Sequence, residues 1–405
     1  MLQSNLFSEI DKEKIILDLF QAYFDARKNK RNTINALLFE KHLESNVFAL
    51  FDEITNYQYK PKPSICFIVD KPVKREIFAA DFRDRVIHHL IYNYISPLFE
   101  TVFINDCYSC RKGKGTHYGI KRIDHFIRSC SRNYSLDCYI LKLDIKGYFM
   151  SIDKILLYDK IKEHLKMKRH KIDFDLPFVI YLLEQTIFND PKENCIIKGR
   201  KSDWTNLPKT KSLFYARKDC GLPIGNLTSQ LFANIYLNDF DHWVKSNLEI
   251  KYYGRYVDDF VLIHPDKDYL KDCIPLIKNY LSEKIRLTLH PDKIYFQHFA
   301  KGLRYLGTVI KPHRIYIASQ TKGNYYEAIE QHNKIARDHK PTHEEQSAFL
   351  DTMNSYLGIL KHYKTYKHRK SMLFKNLSAW WWNYVYLTGG IAKFVLKRKR
   401  LKNCM

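Results

Sequence analysis

The stretch that decides the fold is KYYGRYVDDFVLI, residues 251–263. Apolar and aromatic β-formers lie on both sides of the adjacent acids Asp258 and Asp259, and this pattern predicts a β-hairpin with the acids at its tight turn. Two neighbouring carboxylates repel each other, so such a turn gains little unless a divalent cation neutralises them. Because a single Asp-Asp pair at a turn is more often structural, a metal site needs a further acid.

A further acid stands upstream in YILKLDIKGYFMSI, residues 139–152, where Asp144 ends an apolar strand. If this strand neighbours the hairpin, Asp144 converges with Asp258 and Asp259. Three carboxylates can hold two Mg²⁺ ions about 4 Å apart, and Mn²⁺ can substitute for them. This arrangement suits phosphoryl transfer, because one ion activates the attacking hydroxyl and the other stabilises the triphosphate charge.

The composition of the chain favours a polyanionic partner. The 405 residues include 67 Lys plus Arg against 44 Asp plus Glu, a formal net charge of +23. Such a surface attracts polyanions, and nucleic acid leads the candidates. Association with a membrane surface or with the ribosome stays open on composition alone.

The cysteines and the apolar segments indicate the cellular compartment of the protein. The nine Cys show no secreted disulfide framework, so we expect reduced thiols and a cytoplasmic protein. Cys107 and Cys110 have zinc-like spacing, but no second Cys/His pair follows at a finger-like distance, which favours a structural role. The most apolar stretch, 176–188, is interrupted by Glu184 and is too short to span a bilayer. We therefore expect no membrane anchor and no membrane partner.

Local patterns divide the chain into segments. Helical periodicity predicts helices over residues 1–58, and an extended Pro- and Lys-rich stretch begins at Tyr59. The basic, Gly-punctuated residues 110–122 predict a loop that approaches phosphates. The basic insertion 191–218 predicts an exposed hairpin or loop along a nucleic-acid backbone. The last ninety residues predict helices, with Trp380, Trp381 and Trp382 in their core, and a basic tail.

Seven blocks of this sequence together resemble reverse transcriptases of bacterial retroelements. In chain order they are KREIFAADFRDRVIHHLI, CYSCRKGKGTH, LDIKGYF, GLPIGNLTSQLFANIYLNDFDHWV, YVDD, RLTLHPDK and RYLGTVI. The resemblance implies an α+β right-hand polymerase that makes cDNA from an RNA template. It implies an N-terminal helical extension, fingers, a palm with an antiparallel sheet plus helices, and a helical thumb with a basic tail. The expected bounds are 1–58 for the N-terminal extension, 59–135 for the fingers, 136–312 for the palm with its insertion at 191–218, and 313–405 for the thumb and tail.

The same resemblance implies roles for individual residues. Asp144, Asp258 and Asp259 match the metal-binding triad, and the carbonyl of Ile145 is a further metal ligand. Phe149 matches the aromatic gate that stacks on the deoxyribose and excludes a 2′-hydroxyl. The cations expected near the triphosphate or the pyrophosphate are Arg75, Lys74, Lys71 and Lys293, the last of these as general acid.

One block departs from the ordinary pattern of the family. Ordinary members have Gln before Gly225 and Pro after Ser229, where this chain has Ile224 and Gln230. The resemblance makes Ile224, Gly225 and Gln230 nucleotide-pocket residues. A Gln can brace the nucleotide by hydrogen bonds, whereas Ile offers van der Waals contact alone, which predicts reduced fidelity.

This variant is similar to the reverse transcriptases of diversity-generating retroelements, which make errors at template adenines. That subfamily implies template RNA, nascent cDNA and dNTPs as partners, with a structured non-coding RNA and a small basic accessory protein. Two alternatives stay open. One is an antiphage-defence or abortive-infection reverse transcriptase that makes a non-coding or protein-primed DNA. The other is an RNA-binding structural protein without catalysis, although RNA binding gains nothing from three clustered acids.

Overall fold

The computed structural model describes residues 9–28, 33–70 and 73–397. The helices are, in chain order, α1 (Glu9–Arg27), α2 (Ile34–Lys41), α3 (Leu43–Thr55), α4 (Phe82–Glu100), α5 (Thr116–Cys130), α6 (Tyr148–Ser151), α7 (Lys154–Met167), α8 (Leu176–Ile187), α9 (Leu227–Tyr236), α10 (Asn238–Ser246), α11 (Lys267–Ile285), α12 (Ser319–Asp338), α13 (His343–Leu360) and α14 (Tyr366–Asn376).

The strands alternate with these helices along the chain. They are β1 (Ile65–Val69), β2 (Arg75–Ala79), β3 (Tyr139–Asp144), β4 (Ile196–Ile197), β5 (Tyr252–Tyr256), β6 (Asp259–His264), β7 (Tyr295–His298), β8 (Leu303–Tyr305), β9 (Thr308–Lys311), β10 (Arg314–Ile317), β11 (Val385–Thr388) and β12 (Lys393–Leu396). The mixture of helices with antiparallel strand pairs confirms the predicted α+β class.

The described residues form two compact units. The first contains the residues up to Gly115 together with Leu141–Phe296. The second contains Thr116–Ile140 and the residues from Gln297 onward. These units follow the contacts within the chain, and the fingers, palm and thumb bounds expected from the resemblance stay a prediction.

A four-stranded sheet contains the predicted hairpin. Its strand order is β5-β6-β3-β7, and β5 pairs antiparallel with β6 so that Tyr256 lies opposite Asp259. The hairpin predicted for 251–263 is therefore confirmed. Strand β6 buries Phe260 and the three residues after it, which makes it a core strand of this unit.

A second sheet of the first unit contains the predicted extended stretch after Tyr59. Strands β1 and β2 pair antiparallel, and β4 from the basic insertion adds to β1 in parallel. The insertion continues in short 3₁₀ turns at Lys201–Trp204, Lys209–Lys211 and Leu213–Tyr215. Most of the insertion is exposed, as expected for a loop, but Ser212 and Leu213 are buried.

The second unit contains the helices predicted for the C-terminal ninety residues. Trp381 is fully buried and stacks on Phe349 with ring centroids 4.0 Å apart. Trp380, in contrast, is 60% exposed, so the predicted core position holds for Trp381 and not for its neighbour. A strand pair that helical periodicity did not predict, β11 with β12, follows the helices.

The Gly-punctuated segment 110–122 is a loop over its first part only. Helix α5 begins at Thr116, so Gly119, Lys121 and Arg122 are helical and not in the predicted loop. The helix forms because Ile120, Ile123 and Ile127 recur at helical spacing and are buried.

The described residues also show whether a helix could cross a membrane and whether the cysteines are paired. None of the helices in them has the length and apolar character that crossing a membrane requires. Their cysteines are free thiols. Cys107 donates to Asn234 and Cys110 to Gln230, so each has its own oxygen partner.

Candidate active site

The sheet brings Asp144 close to the Asp258-Asp259 turn. Asp144 is the last residue of β3, and Asp259 is the first residue of the adjacent strand β6. The backbone N–H of Ile145 donates to the carbonyl of Asp258 at 3.3 Å. The three acids and Ile145 therefore lie at one end of two hydrogen-bonded strands, as expected from the sequence.

The chain around Asp144 is also joined to the segment that carries Lys293. The N–H of His290 donates to the carbonyl of Asp144 at 2.8 Å, and the N–H of Lys146 donates to the carbonyl of Thr288 at 2.9 Å. These bonds bring Lys293 beside the acid, and its Nζ lies 2.8 Å from Asp144 Oδ1. Lys293 thus belongs to the same site.

A buried ion pair supports the turn that carries the acids. Val257 has φ of +57°, a conformation that is strained for a β-branched residue. Arg255 Nη1 donates to the carbonyl of Val257 at 2.9 Å, and the N–H of Val257 donates to Ser109 Oγ at 3.2 Å. The Arg255 guanidinium also binds both carboxylate oxygens of Asp241, at 2.7 Å and 2.6 Å, and both side chains are fully buried. The pair holds the turn in its strained form.

Burial and charge repulsion raise the pKa of two of the acids. Burial and the nearby Asp144 raise the pKa of Asp258 to about 6. Burial also raises the pKa of Asp259, against the opposing effect of Lys142, whose Nζ lies 3.0 Å from Asp259 Oδ2. Lys142 was missed in the sequence, although it lies two residues before Asp144 on the same face of β3.

The donor set matches the chemistry of a hard divalent cation. Carboxylate and carbonyl oxygens are the ligands that Mg²⁺ prefers, and Asp259 Oδ1 is buried with no hydrogen-bond partner in the described part of the chain. The side chains do not already form a metal-binding cluster, however. Among the described residues, no group of three or more His, Cys, Asp or Glu side chains is close enough together to hold a metal ion. Instead, Lys293 and Lys142 each neutralise one acid.

An apolar cluster includes Met150, on the helix that follows Asp144 in the chain, and we call its four buried residues the pocket cluster: Cys66, Phe78, Met150 and Leu213. Phe149 and Ile224 both pack against it. The N–H of Phe78 donates to the carbonyl of Ile224 at 2.9 Å, which ties the Ile224 loop to β2. The structure therefore brings the expected sugar gate and the variant Ile224 to the same cluster.

Gly225 is required by the way this loop passes β2. Its φ is +124°, and a Cβ placed on it would lie 2.9 Å from Ile77 Cγ2 and 3.2 Å from the carbonyl O of Phe78. A side chain at this position is strained in the backbone and crowded against the strand.

The other expected pocket residues differ in their surroundings. Arg75 is exposed at the start of β2. Lys74 Nζ donates to the carbonyl of Thr205 at 2.8 Å, so its ammonium group is hydrogen-bonded to the insertion. Gln230 is outside the pocket cluster, because it lies on the exposed side of α9 and accepts a hydrogen bond from Cys110. Lys71 lies outside the described residues.

Comparison with known families decides what kind of site this is. The sequence profile of the family described as "Reverse transcriptase (RNA-dependent DNA polymerase)" matches residues 61–310, well over half of the chain. The matched segment contains every acid of the site. The chain belongs to the reverse transcriptase family. This membership confirms the expected class of enzyme, an RNA-directed DNA polymerase, and agrees with the predicted right-hand polymerase fold.

Two curated relatives of this reverse transcriptase are bacterial. Protein YkfC of Escherichia coli (strain K12) is 23% identical over 308 residues, which cover 68% of this chain and 73% of YkfC. The group II intron-encoded protein LtrA of Lactococcus lactis subsp. cremoris is 20% identical over 336 residues, which cover 67% of this chain and 50% of LtrA. The chain thus spans about half of LtrA.

Solved structures of telomerases also align with this reverse transcriptase. An apo telomerase from Candida tropicalis aligns with a TM-score of 0.45 and 14% identity, covering 66% of this chain and 59% of the telomerase. A telomerase from Candida albicans aligns with a TM-score of 0.47 and 13% identity, covering 84% of this chain and 59% of the telomerase. The chain spans less than two thirds of either telomerase.

Proposed function

We propose that this reverse transcriptase makes cDNA from an RNA template by metal-dependent nucleotidyl transfer, with dNTPs as substrates. The observation that carries the proposal is the meeting of Asp144, Asp258 and Asp259 at the ends of β3 and β6, within the segment that matches the family. Burial, together with repulsion from Asp144, raises the pKa of Asp258, and cation binding offsets this cost of holding a buried charged carboxylate.

The three carboxylates and the carbonyl of Ile145 are the groups that would hold two Mg²⁺ ions. When bound, the ions supply Lewis-acid chemistry, which activates the primer 3′-hydroxyl and neutralises charge on the triphosphate. Lys293 is the residue placed to give a proton to the leaving pyrophosphate, since its side chain is 48% exposed and lies beside Asp144. Arg75, exposed at the start of β2, binds the triphosphate.

Phe149 and Ile224 select the nucleotide in this proposal. The Phe149 ring stacks on the deoxyribose and excludes a 2′-hydroxyl by size. Ile224 packs against the pocket cluster and has no side-chain hydrogen-bonding group, so it cannot brace a nucleotide by a polar contact. Mispaired nucleotides are therefore penalised less than with Gln at this position.

The low-fidelity pocket favours a role in a diversity-generating retroelement. There the enzyme acts with a structured non-coding RNA and a small basic accessory protein, and its errors fall at template adenines. The net charge of +23 supports a nucleic-acid partner of this kind.

Primer extension by the purified protein on RNA, on DNA of the same sequence and without template tests the proposal. We expect Mg²⁺-dependent dNTP incorporation on RNA. Synthesis without a template favours the antiphage-defence alternative, and binding without synthesis favours the RNA-binding structural protein.

Sequencing of the cDNA tests the low-fidelity pocket. We expect errors at template adenines for the wild type and fewer errors for Ile224→Gln. The control Ile155→Gln adds the same side chain at a half-exposed position on α7 and should leave the error rate unchanged. Equal error rates for the wild type and Ile224→Gln reject the proposed role of Ile224.

A further inference from the structure

Glu76 is a fully buried carboxylate on β2 that binds the basic insertion. Its Oε2 accepts hydrogen bonds from Trp204 Nε1 at 2.7 Å and from Ser212 Oγ at 2.8 Å. Its Oε1 accepts from the N–H of Leu213 at 2.6 Å. All three donors belong to the insertion. A buried carboxylate needs such donors, because burial without them strongly disfavours the charged form.

Three further contacts hold the insertion in the same place. Strand β4 pairs with β1, and Lys74 donates to the carbonyl of Thr205. The insertion also meets the chain just after Asp144, where a Cβ placed on Gly147 would lie 2.6 Å from the carbonyl O of Thr210. The insertion thus bridges the β1–β2 hairpin and the segment that follows the first acid of the site.

The insertion also contributes to the apolar surroundings of the nucleotide pocket. Leu213 is one of the four residues of the pocket cluster, and Trp204 packs against that cluster as Phe149 and Ile224 do. The hydrogen bonds of Glu76 therefore hold two side chains of the cluster against which Phe149 and Ile224 also pack. Packed interiors transmit small displacements, because they contain few voids that could absorb them.

We propose that Glu76 is a positioning residue for nucleotide selection, and that residues 196–215 form a wall of the nucleotide pocket held in place by Glu76. In this arrangement Trp204 and Leu213 fix the packing of Phe149, so the wall sets how strictly ribose is excluded. The inference rests on the proposed function, because it assigns the wall to the pocket of that same reaction.

The test weakens the anchor from the insertion side, which leaves the buried carboxylate and the packing in place. Trp204→Phe removes one donor to Glu76 and keeps an aromatic ring, and Ser212→Ala removes the second donor. The controls are Trp380→Phe and Ser282→Ala, the same changes at exposed positions far along the chain. The ratio of kcat/KM for dNTP to that for the matching rNTP is measured on one RNA template, together with Tm.

We expect the double variant to lose about tenfold of its preference for dNTP, since a misplacement of about 1 Å in a catalytic site can cost about 100-fold in rate. Each single variant should lose less, and both controls should keep the wild-type ratio. Glu76→Gln should be intermediate, because its carbonyl oxygen can still accept from Trp204 and Ser212 while its amide cannot accept from Leu213.

A structural role without positioning predicts a different result. In that case Tm falls and both kcat/KM values fall together, so that the ratio stays at the wild-type value, and this outcome overturns the inference. If the double variant does not fold, Trp204→Phe alone gives the ratio. A wild-type protein that incorporates no dNTP on RNA overturns the proposed function itself, and the inference with it.

Discussion

The ammonium group of Lys293 lies 2.8 Å and 2.9 Å from the two carboxylate oxygens of Asp144. The lysine thus places a positive charge at an acid that we assign to metal binding. Lysine and metal compete for this carboxylate, and the lysine must leave it before it can donate to a leaving group.

Replacing Lys293 with Met should therefore change metal use and turnover in opposite directions. The Mg²⁺ concentration at half-maximal rate should fall about two- to fivefold, because an exposed ion pair contributes about 0.2–1 kcal/mol. Turnover should fall about 100-fold or more if Lys293 is the general acid. Both are read from primer extension across a Mg²⁺ titration. Lys278→Met, at an exposed position on α11, is the control, and a Lys293 variant with wild-type turnover contradicts the assigned role.

The buried pair of Arg255 and Asp241 should contribute strongly to stability. Asp241→Ala leaves the Arg255 charge buried without its carboxylate partner, which costs about 3–5 kcal/mol. Asp239→Ala, on the same helix, removes an exposed carboxylate that pairs with Lys160 and should cost about 1 kcal/mol or less. Urea unfolding measures both. Equal losses for the two variants contradict a supporting role for the buried pair.

Two glycines should respond in opposite ways to the same substitution. Gly225→Ala should lower the free energy of unfolding by about 1–3 kcal/mol, because φ is +124° and the new Cβ would crowd Ile77. Gly323→Ala lies on helix α12 in open space and should raise it by up to about 1 kcal/mol. Thermal or urea unfolding checks both signs, and a stabilising Gly225→Ala shows that the loop does not pass β2 as described.

Stability should depend on pH through the buried His88. Burial and the neighbouring His89 lower the pKa of His88 to about 3, and its Nδ1 has no hydrogen-bond partner in the described ranges. Between pH 6.5 and 3 the unfolded chain takes up a proton at His88 that the folded chain does not, so stability is lost as the pH falls.

From pH 7.5 to 5.5 this loss amounts to about 1.4 kcal/mol for one such group. His88→Leu should remove that part of the pH dependence, as measured by urea unfolding at both pH values. Between pH 7.5 and 9, where His88 is neutral in both states, variant and wild type should change equally. If the free energy of unfolding of His88→Leu falls below pH 7.5 as steeply as that of the wild type, His88 is not buried in its neutral form.

Local patterns were sufficient to predict the hairpin and the strand that carry the acids. Strand alternation and a tight turn involve neighbours in sequence, so the β5–β6 hairpin and the position of Asp144 could be found from the residues alone. The helices of the second unit could be predicted for the same reason, since Phe349, Met353 and Leu357 recur at helical spacing and are buried.

Contacts between distant positions could not be predicted in this way. Glu76 and Trp204 are 128 positions apart, and an insertion rich in Lys gives no local signal that it is anchored. Arg255 looks like a surface residue from its type, because an arginine is rarely buried without a partner. The position of Gln230 depends on which face of α9 is exposed, and its neighbours Ser229 and Leu231 are the buried ones.

The most direct test of the central claim is the rate of single dNTP addition to a primer on an RNA template, compared between Asp258→Asn and Asp266→Asn. Asp266 is exposed and caps α11, and Asn also serves as an N-cap, so this matched change should leave the rate unchanged. We expect Asp258→Asn, with the same Tm as the wild type, to lose at least about 1000-fold in rate at saturating Mg²⁺. Wild-type rates in Asp258→Asn would contradict a polymerase site at these acids.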